Sequence, residues 1–363
     1  MGKIRELHPK PIFDRNALFD FLDGYDVKRL HAQKIWQYVL RNPGCDLERI
    51  PELPQRIRGV IASEFSELTS EVVKKQLSDD GTVKLLIRLQ DGKEVETVII
   101  RHSQPGAEQG DPCRQRATLC VSSQVGCAMG CKFCATGTLG LSGNLWAGEI
   151  AEQVVHARKI EPSLYNVVFM GMGEPLDNYQ NVINVIKSMQ DPQLFAMRSV
   201  SVSTVGVVPK MFKLFRDAPT VKLALSLHAP TQELRNKIVP SAKSFHIDDL
   251  MRAVDEYVSL GKKRWVFAEY VVIKDVNDSV ETAETLAKLV KDRNVTVNLI
   301  PYNAFDDNKF EYETPSDEQV NKFHQVLMQH DVPVFVRMHH GRDIAAACGQ
   351  LAKAEKVEAY PSK

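Results

Sequence analysis

Hydrophobic positions change period twice along this 363-residue chain. Through residues 13–70 they follow the helical repeat. Ala32, Ile35, Trp36, Val39 and Leu40 fall at i, i+3, i+4, i+7 and i+8, which makes one apolar helix face. Asn42-Pro43-Gly44 ends that helix. Ile57, Val60, Ile61 and Phe65 repeat the pattern after Pro54. From 71 to 102 the period becomes two. Val83, Leu85, Ile87 and Leu89 alternate with Lys84, Arg88 and Gln90, and Asp80-Gly81 and Asp91-Gly92 are hairpin pairs. A three-stranded meander is predicted, its last strand holding 94–100. Residues 103–115 are polar and turn-rich, and predict a joint.

From Ala117 onward, short β-rich runs alternate with helical periodicity. Strands are predicted at 118–122, 166–171, 200–204, 221–227, 265–273, 295–301 and 332–338. Helices fill most of the gaps, as at 279–293 and 317–330. Alternation of this kind predicts an α/β fold with a parallel sheet. Six or seven strands point to a partial (β/α) barrel, not a full eightfold one. The expected organisation is a helical accessory module at 1–70, the meander and connecting loop at 71–115, the barrel at 116–351 and a polar tail at 352–363. Polar residues and glycines cluster just past the predicted strand ends: Gly171-Met172-Gly173-Glu174-Pro175, Ser203, Ser226-Leu227-His228 and Tyr302-Asn303. In a barrel these would meet at one mouth, the active face of such folds.

Composition changes this picture little. Hydrophobic residues make up 44% and charged residues 25%, as in an ordinary globular protein. No apolar run approaches the ~20 residues that span a bilayer. The first residues, MGKIRELHPKPIF, contain no secretory core, and Glu6 breaks the myristoylation pattern. A cytoplasmic protein without a membrane partner is expected. Lys and Arg total 46 against 46 Asp and Glu, so net charge gives no sign of a polyanionic partner. A local patch would have to supply one. Lys28, Arg29, His31, Lys34 and Arg41 form either a solvated face or an RNA-backbone contact.

The strongest chemical signal lies past the first barrel strand, in Cys127-Ala128-Met129-Gly130-Cys131-Lys132-Phe133-Cys134. Three thiolates at this spacing hold a soft metal, as iron–sulfur or zinc. A closed zinc site wants four ligands. A [4Fe–4S] cubane held by three cysteines keeps one iron open to a bound molecule. The glycines of 171–173 could let backbone approach a ligand, with Glu174 accepting from an ammonium group; a tight βα turn is the plainer alternative. Cys348, among Ala345-Ala346-Ala347 and Gly349, is either an accessible thiol or a buried small hydrophobe, and Cys120 on the first strand poses the same choice. Cys45 and Cys113 carry no pattern.

The triad resembles the radical S-adenosylmethionine (SAM) signature, and Phe133 before the last cysteine fits it. The wider set resembles the radical SAM adenine-C2 RNA methyltransferases, the RlmN family. The matching stretches are 116–127, the triad, GMGEP at 171–175, SLHAP at 226–230, NLIPYN at 298–303, AACGQL at 346–351 and Val95-Glu96-Thr97-Val98. The loop at 103–115 departs from that pattern. The resemblance implies a [4Fe–4S] cluster on Cys127, Cys131 and Cys134, and SAM contacts from Gly173, Glu174, Ser203, Ser226, Leu227, His228 and Asn303. It implies a methyl-carrying Cys348, a resolving Cys120 that forms a disulfide with it, and Glu96 as proton acceptor. Structured RNA is the implied partner: large-subunit ribosomal RNA, transfer RNA or both. An electron donor such as flavodoxin or ferredoxin is implied too. The related Cfr-like adenine-C8 enzymes share nearly every motif, although the wording here reads closer to the C2 enzymes. A zinc-stabilised RNA-binding protein without catalysis is the alternative of a different class.

Overall fold

The computed structural model describes residues 5–51, 53–102, 116–192, 194–261, 264–305, 309–337 and 340–352. The loop at 103–115 with Cys113, Met338 and the tail from 353 lie outside the described residues.

Three helices open the chain: α1 (Arg15–Gly24), α2 (Leu30–Arg41) and α3 (Gln55–Glu64), with the short parallel pair β1 (Lys10–Pro11) and β2 (Phe65–Ser66) beside them. The apolar face read from periodicity is the buried one, through Ala32, Ile35, Trp36 and Val39. The Trp36 indole N–H donates to the Ile12 carbonyl at 2.8 Å, which satisfies its polar edge inside the core. On the opposite face Lys28, Lys34 and Arg41 are exposed. Arg29 is already engaged, paired with Asp23 and lying over the Phe19 ring.

The meander follows as β3 (Glu71–Leu77), β4 (Val83–Arg88) and β5 (Glu94–His102). Its turns use Gly81 and Gly92 at positive φ, 84° and 77°, the conformation an Asp-Gly hairpin needs. The sequence set this meander apart from the barrel. In the structure β5 instead pairs antiparallel with β6 (Arg116–Cys120), the first barrel strand. The meander therefore covers a barrel edge that would otherwise expose unpaired backbone.

Beyond β6 come the hairpin strands β7 (Gln124–Gly126) and β8 (Leu141–Asn144), which flank α4 (Ala135–Thr138) and the cysteine loop. Helix α5 (Ala147–Ile160), β9 (Leu164–Phe169), α6 (Tyr179–Gln190), β10 (Ser199–Thr204), α7 (Val208–Asp217) and β11 (Lys222–Ser226) follow. The chain continues through α8 (Gln232–Ile238), α9 (Ile247–Ser259), β12 (Val266–Val272), α10 (Val280–Val290), β13 (Val295–Pro301), α11 (Asp317–Gln329) and β14 (Val334–Val336). Strands β6, β9, β10, β11, β12, β13 and β14 are parallel and stand in chain order within one ten-stranded sheet. Every predicted barrel strand is present, with ends moved by a residue or two.

The sheet is curled. Arg337, just past β14, donates to the Met170 sulfur at 3.7 Å, at the end of β9. Those strands stand five places apart; at ~4.8 Å per strand a flat sheet would separate them by about 24 Å. The contact requires an open barrel. Residues 340–352 then cross from β14 to the meander. Ser78 Oγ donates to Asp343, Gly341 N to Asp80, Lys84 Nζ to the Ala345 carbonyl and Ala352 N to Glu96. Among the described residues no helix is long and apolar enough to cross a membrane.

Arg5 locks three parts together. Its buried guanidinium bonds Asp91 in the meander turn at 2.8 Å and Glu149 at the start of α5 at 2.7 and 2.9 Å. Removing one partner leaves a buried carboxylate unpaired. Arg5→Met should therefore destabilise the fold by about 3–5 kcal/mol, read as a lower midpoint of thermal unfolding; an unchanged midpoint would contradict the clamp.

Candidate active site

The C-terminal ends of the barrel strands surround one open cavity. Cys127, Cys131 and Cys134 form part of its wall. Gly173 and Glu174 enter from the end of β9, Ser203 from β10, Ser226 and His228 from β11, and Asn303 from beyond β13; Cys348 lines it too. Three expected site residues stand off this wall: Leu227, Glu96 and Cys120. Leu227 is a buried core residue.

The cysteine loop is held by its own turn. Gly126 has φ 76°, and a Cβ there would lie 1.9 Å from the Gly140 carbonyl oxygen, so only glycine lets the β7–β8 hairpin close. The far side is pinned where Ala135 N donates to the Gly349 carbonyl at 2.7 Å, which brings the chain end against the triad. Burial pushes the Cys127 thiol up to about 12, and raises Cys131 and Cys134 as well. A soft metal displaces such protons and supplies the compensating charge. Among the described residues no group of three His, Cys, Asp or Glu side chains is placed to hold a single metal ion. The three cysteines share one cavity wall.

The glycines of 171–173 meet a further need beside the one read in the sequence. A Cβ on Gly171 would lie 2.7 Å from the Val121 carbonyl oxygen, and one on Gly173 2.5 Å from the Gln124 Cβ. Their close approach is to the segment leaving β6, not only to a ligand. Glu174 is buried, and each of its oxygens accepts from a backbone amide: Leu176 and Val205, both at 2.9 Å. It thus ties the end of β9 to the end of β10. Burial raises its carboxyl to about 7. A carboxylate has about four acceptor positions, so lone pairs remain for a ligand's ammonium group.

Around it, Ser203 and Ser226 bring their hydroxyls within 3.2 Å of each other. His228 takes a left-handed backbone, φ 57°, and its Nδ1 accepts from Val271 N at 3.1 Å. The ring proton is thereby assigned to Nε2. Burial, then Arg235, push this imidazole down to about 3, so it is a neutral donor at physiological pH. Phe133 packs edge-on against it at 4.6 Å between centroids. Asn303 donates to the Cys348 carbonyl at 3.1 Å and accepts from Arg342 Nε at 2.9 Å, so it positions the Cys348 segment.

The two remaining thiols differ. Cys348 is half-buried at the cavity, whereas Cys120 is buried. Burial, then the neighbouring Cys348, push the Cys120 thiol up to about 12 despite Arg337 nearby. Of the two readings open for Cys120, accessible thiol or buried small hydrophobe, the structure shows the buried one, and there desolvation outweighs the cation. Both cysteines are free thiols here, so the expected disulfide is not formed. Glu96 pairs with Lys84 at 3.0 Å and accepts from Ala352 N. Two cavity residues escaped the sequence reading. Glu269 sits in the apolar run Val266–Val272 of β12, with Oε2 3.6 Å from Arg337 Nη1. Its only signal was a lone acid inside a buried strand. Arg337 shows no signal at all, since an arginine ending a strand is commonplace.

Comparison with known proteins agrees with this arrangement. Residues 121–289 match the model of the Radical SAM superfamily. The chain is 39% identical to the dual-specificity RNA methyltransferase RlmN of Geotalea uraniireducens over 343 residues, 93% of this chain and 95% of that protein. It is also 39% identical to the RlmN of Oleidesulfovibrio alaskensis over 353 residues, 94% of this chain and 96% of that one. The crystal structure of a radical SAM methyltransferase from Sphaerobacter thermophilus superimposes with a TM-score of 0.83 at 38% identity, covering 94% of this chain and 99% of that one. The cofactors of that superfamily are a [4Fe–4S] cluster and SAM, and a three-thiol wall in a largely apolar cavity with a few convergent polar groups fits both. With matches over nearly its whole length, the chain belongs to the RlmN family of radical SAM RNA methyltransferases.

Proposed function

We propose that this protein methylates C2 of adenine in structured RNA, both large-subunit ribosomal RNA and transfer RNA, in the cytoplasm. One observation carries the reading: the triad, the strand-end polar residues and Cys348 line a single cavity although they come from distant parts of the chain. Cys127, Cys131 and Cys134 would hold the cluster. Gly173, Glu174, Ser203, Ser226, His228 and Asn303 would hold SAM, and Leu227, which the resemblance adds to them, is buried behind the wall. When bound, these cofactors supply a sulfonium methyl for a thiolate and a 5′-deoxyadenosyl radical for hydrogen abstraction. The electron comes from a low-potential donor such as flavodoxin or ferredoxin.

An adenine C2 carbon is not nucleophilic, so a methyl must first be mounted on the protein. Cys348 takes it at sulfur and loses its thiol proton. With one hydrogen atom removed, that carbon joins adenine C2; the C2 proton then leaves and the unpaired electron passes to the electron carrier, so that a closed-shell adduct tethers the RNA to Cys348. Cys120, as thiolate, then attacks the Cys348 sulfur; the S–CH2 bond breaks, the released carbon takes up a proton to become the methyl group, and a Cys120–Cys348 disulfide is left, which an external dithiol reduces before the next turnover. Glu96 lies behind the wall and is tied through Ala352 to the segment carrying Cys348, so its part as proton acceptor requires that segment to shift. The module within 1–70 would hold RNA by shape and backbone charge through Lys28, Lys34 and Arg41, with 71–115 and 116–351 as meander and catalytic core and 352–363 as tail.

Anaerobic reconstituted protein, given SAM and a reductant, should convert adenosine in ribosomal and transfer RNA to 2-methyladenosine, read by nucleoside mass spectrometry. The 8-methyl isomer would overturn the C2 assignment, and unmodified RNA with an intact cluster would overturn the activity.

A further inference from the structure

A buried charge normally sits beside an opposite one, because desolvation otherwise disfavours it strongly. Arg235 on α8 is buried, at 0% exposure. Burial brings its pKa down only to about 10, so it stays cationic at neutral pH. Its guanidinium donates to three carbonyl oxygens, those of Leu227 at 3.1 Å, Ser226 at 3.2 Å and Val205. Carbonyls satisfy its N–H groups but cannot cancel its charge. Among the described residues no carboxylate pairs with it, and the acidic group it acts on is the Cys131 thiol, which burial keeps protonated. The geometry explains why. One turn along α8, Ile238 packs with Ala229, Val239 and Ala242 around Cys131, and the Ile238 carbonyl accepts from Lys132 N at 3.0 Å. The same short helix therefore seats the cysteine and carries the cation.

We infer that Arg235 is the fixed counter-charge of the cluster that Cys131 helps to hold, and that it eases the cluster's acceptance of an electron. The inference rests on the cofactor assignment above. Three thiolates leave an oxidised cubane net negative, and one-electron reduction adds a further negative charge. A cation fixed in a water-poor surround stabilises the reduced state more than the oxidised one. A purely mechanical role, joining the ends of β10 and β11 through carbonyls, would not depend on charge.

Redox titration of the full-length reconstituted protein, followed by electron paramagnetic resonance, separates these roles; iron and sulfide are measured first. Arg235→Gln keeps donors but removes the charge, and Arg235→Lys keeps the charge. Ser241→Asp leaves the arginine and its carbonyls in place but adds a carboxylate to the cavity that both residues line, where the Ser241 hydroxyl is buried without a partner. Arg235→Gln and Ser241→Asp should shift the midpoint potential to more negative values, and Arg235→Lys should stay near the unaltered protein. Unaltered potentials in Arg235→Gln or Ser241→Asp, with the cluster at full content, overturn the inference. If the two charge-cancelling variants lose the cluster while Arg235→Lys keeps it, charge is again the cause; loss from Arg235→Lys as well makes the role structural and overturns the inference. An unaltered protein that takes up no iron would instead refute the cofactor assignment.

Discussion

Replacing Cys348 and replacing Cys120 should give opposite results on a denaturing gel. In Cys348→Ala no methyl is mounted, so both methylated adenine and any protein–RNA adduct should be absent. In Cys120→Ala the methyl is mounted and transferred, but nothing releases it, so protein covalently joined to RNA should accumulate. The structure gives a reason for this division of labour. Thiolate, not thiol, attacks a sulfonium methyl. Burial keeps the Cys120 thiol protonated at neutral pH, so it does not compete for the methyl. Cys348 alone of the two lines the cavity. After transfer the need reverses, because the adduct sulfur must be met by a second thiol from behind the wall. Arg337, next to both cysteines, lowers the cost of ionising Cys120 for that step. Absence of cross-linked RNA in Cys120→Ala under turnover, or 2-methyladenosine made by Cys348→Ala, would refute the roles.

Loss of one cluster cysteine should be equally complete. Three thiolates are the fewest that hold a cubane with one open iron. Cys131→Ala should therefore drop iron from about four atoms per chain to near none, together with the broad visible absorption. Cys131 is also walled in by Ala229, Ile238, Val239 and Ala242, so alanine fits without strain, and the thermal unfolding midpoint of the metal-free protein should hardly move. Retention of full iron by Cys131→Ala would show that another ligand had been missed. Stoichiometric zinc in the unaltered protein would turn the triad into a structural site and remove the basis for radical chemistry.

Much of the molecule was legible before folding. Short β-rich runs between stretches of helical periodicity placed the barrel strands, because a parallel barrel strand is apolar on both faces and its helices are apolar on one. The triad was legible because metal ligands on one loop are set by local spacing. Asp-Gly at 80–81 and 91–92 fixed the meander turns because those turns need positive φ. These are local constraints, written in neighbouring residues.

What the chain brings together from afar was not written there. That β5 would pair with β6, and so fuse meander and barrel, is a choice among edges that no window of sequence records. The glycines at 171 and 173 read as ligand approach, yet the backbone they admit is that of 121–124. Cys120 read as a candidate reactive thiol, and only its burial keeps it protonated. Arg235, Glu269 and Arg337 looked like ordinary charges on a helix and two strands. Their meaning depends on desolvation and on which charges lie across the cavity, quantities that exist only once the sheet has curled. Residue type and spacing thus determined the fold class and the cluster loop, while the tertiary structure alone decided the protonation, pairing and reach of each group around it, because burial and long-range contact set the electrostatics of a site.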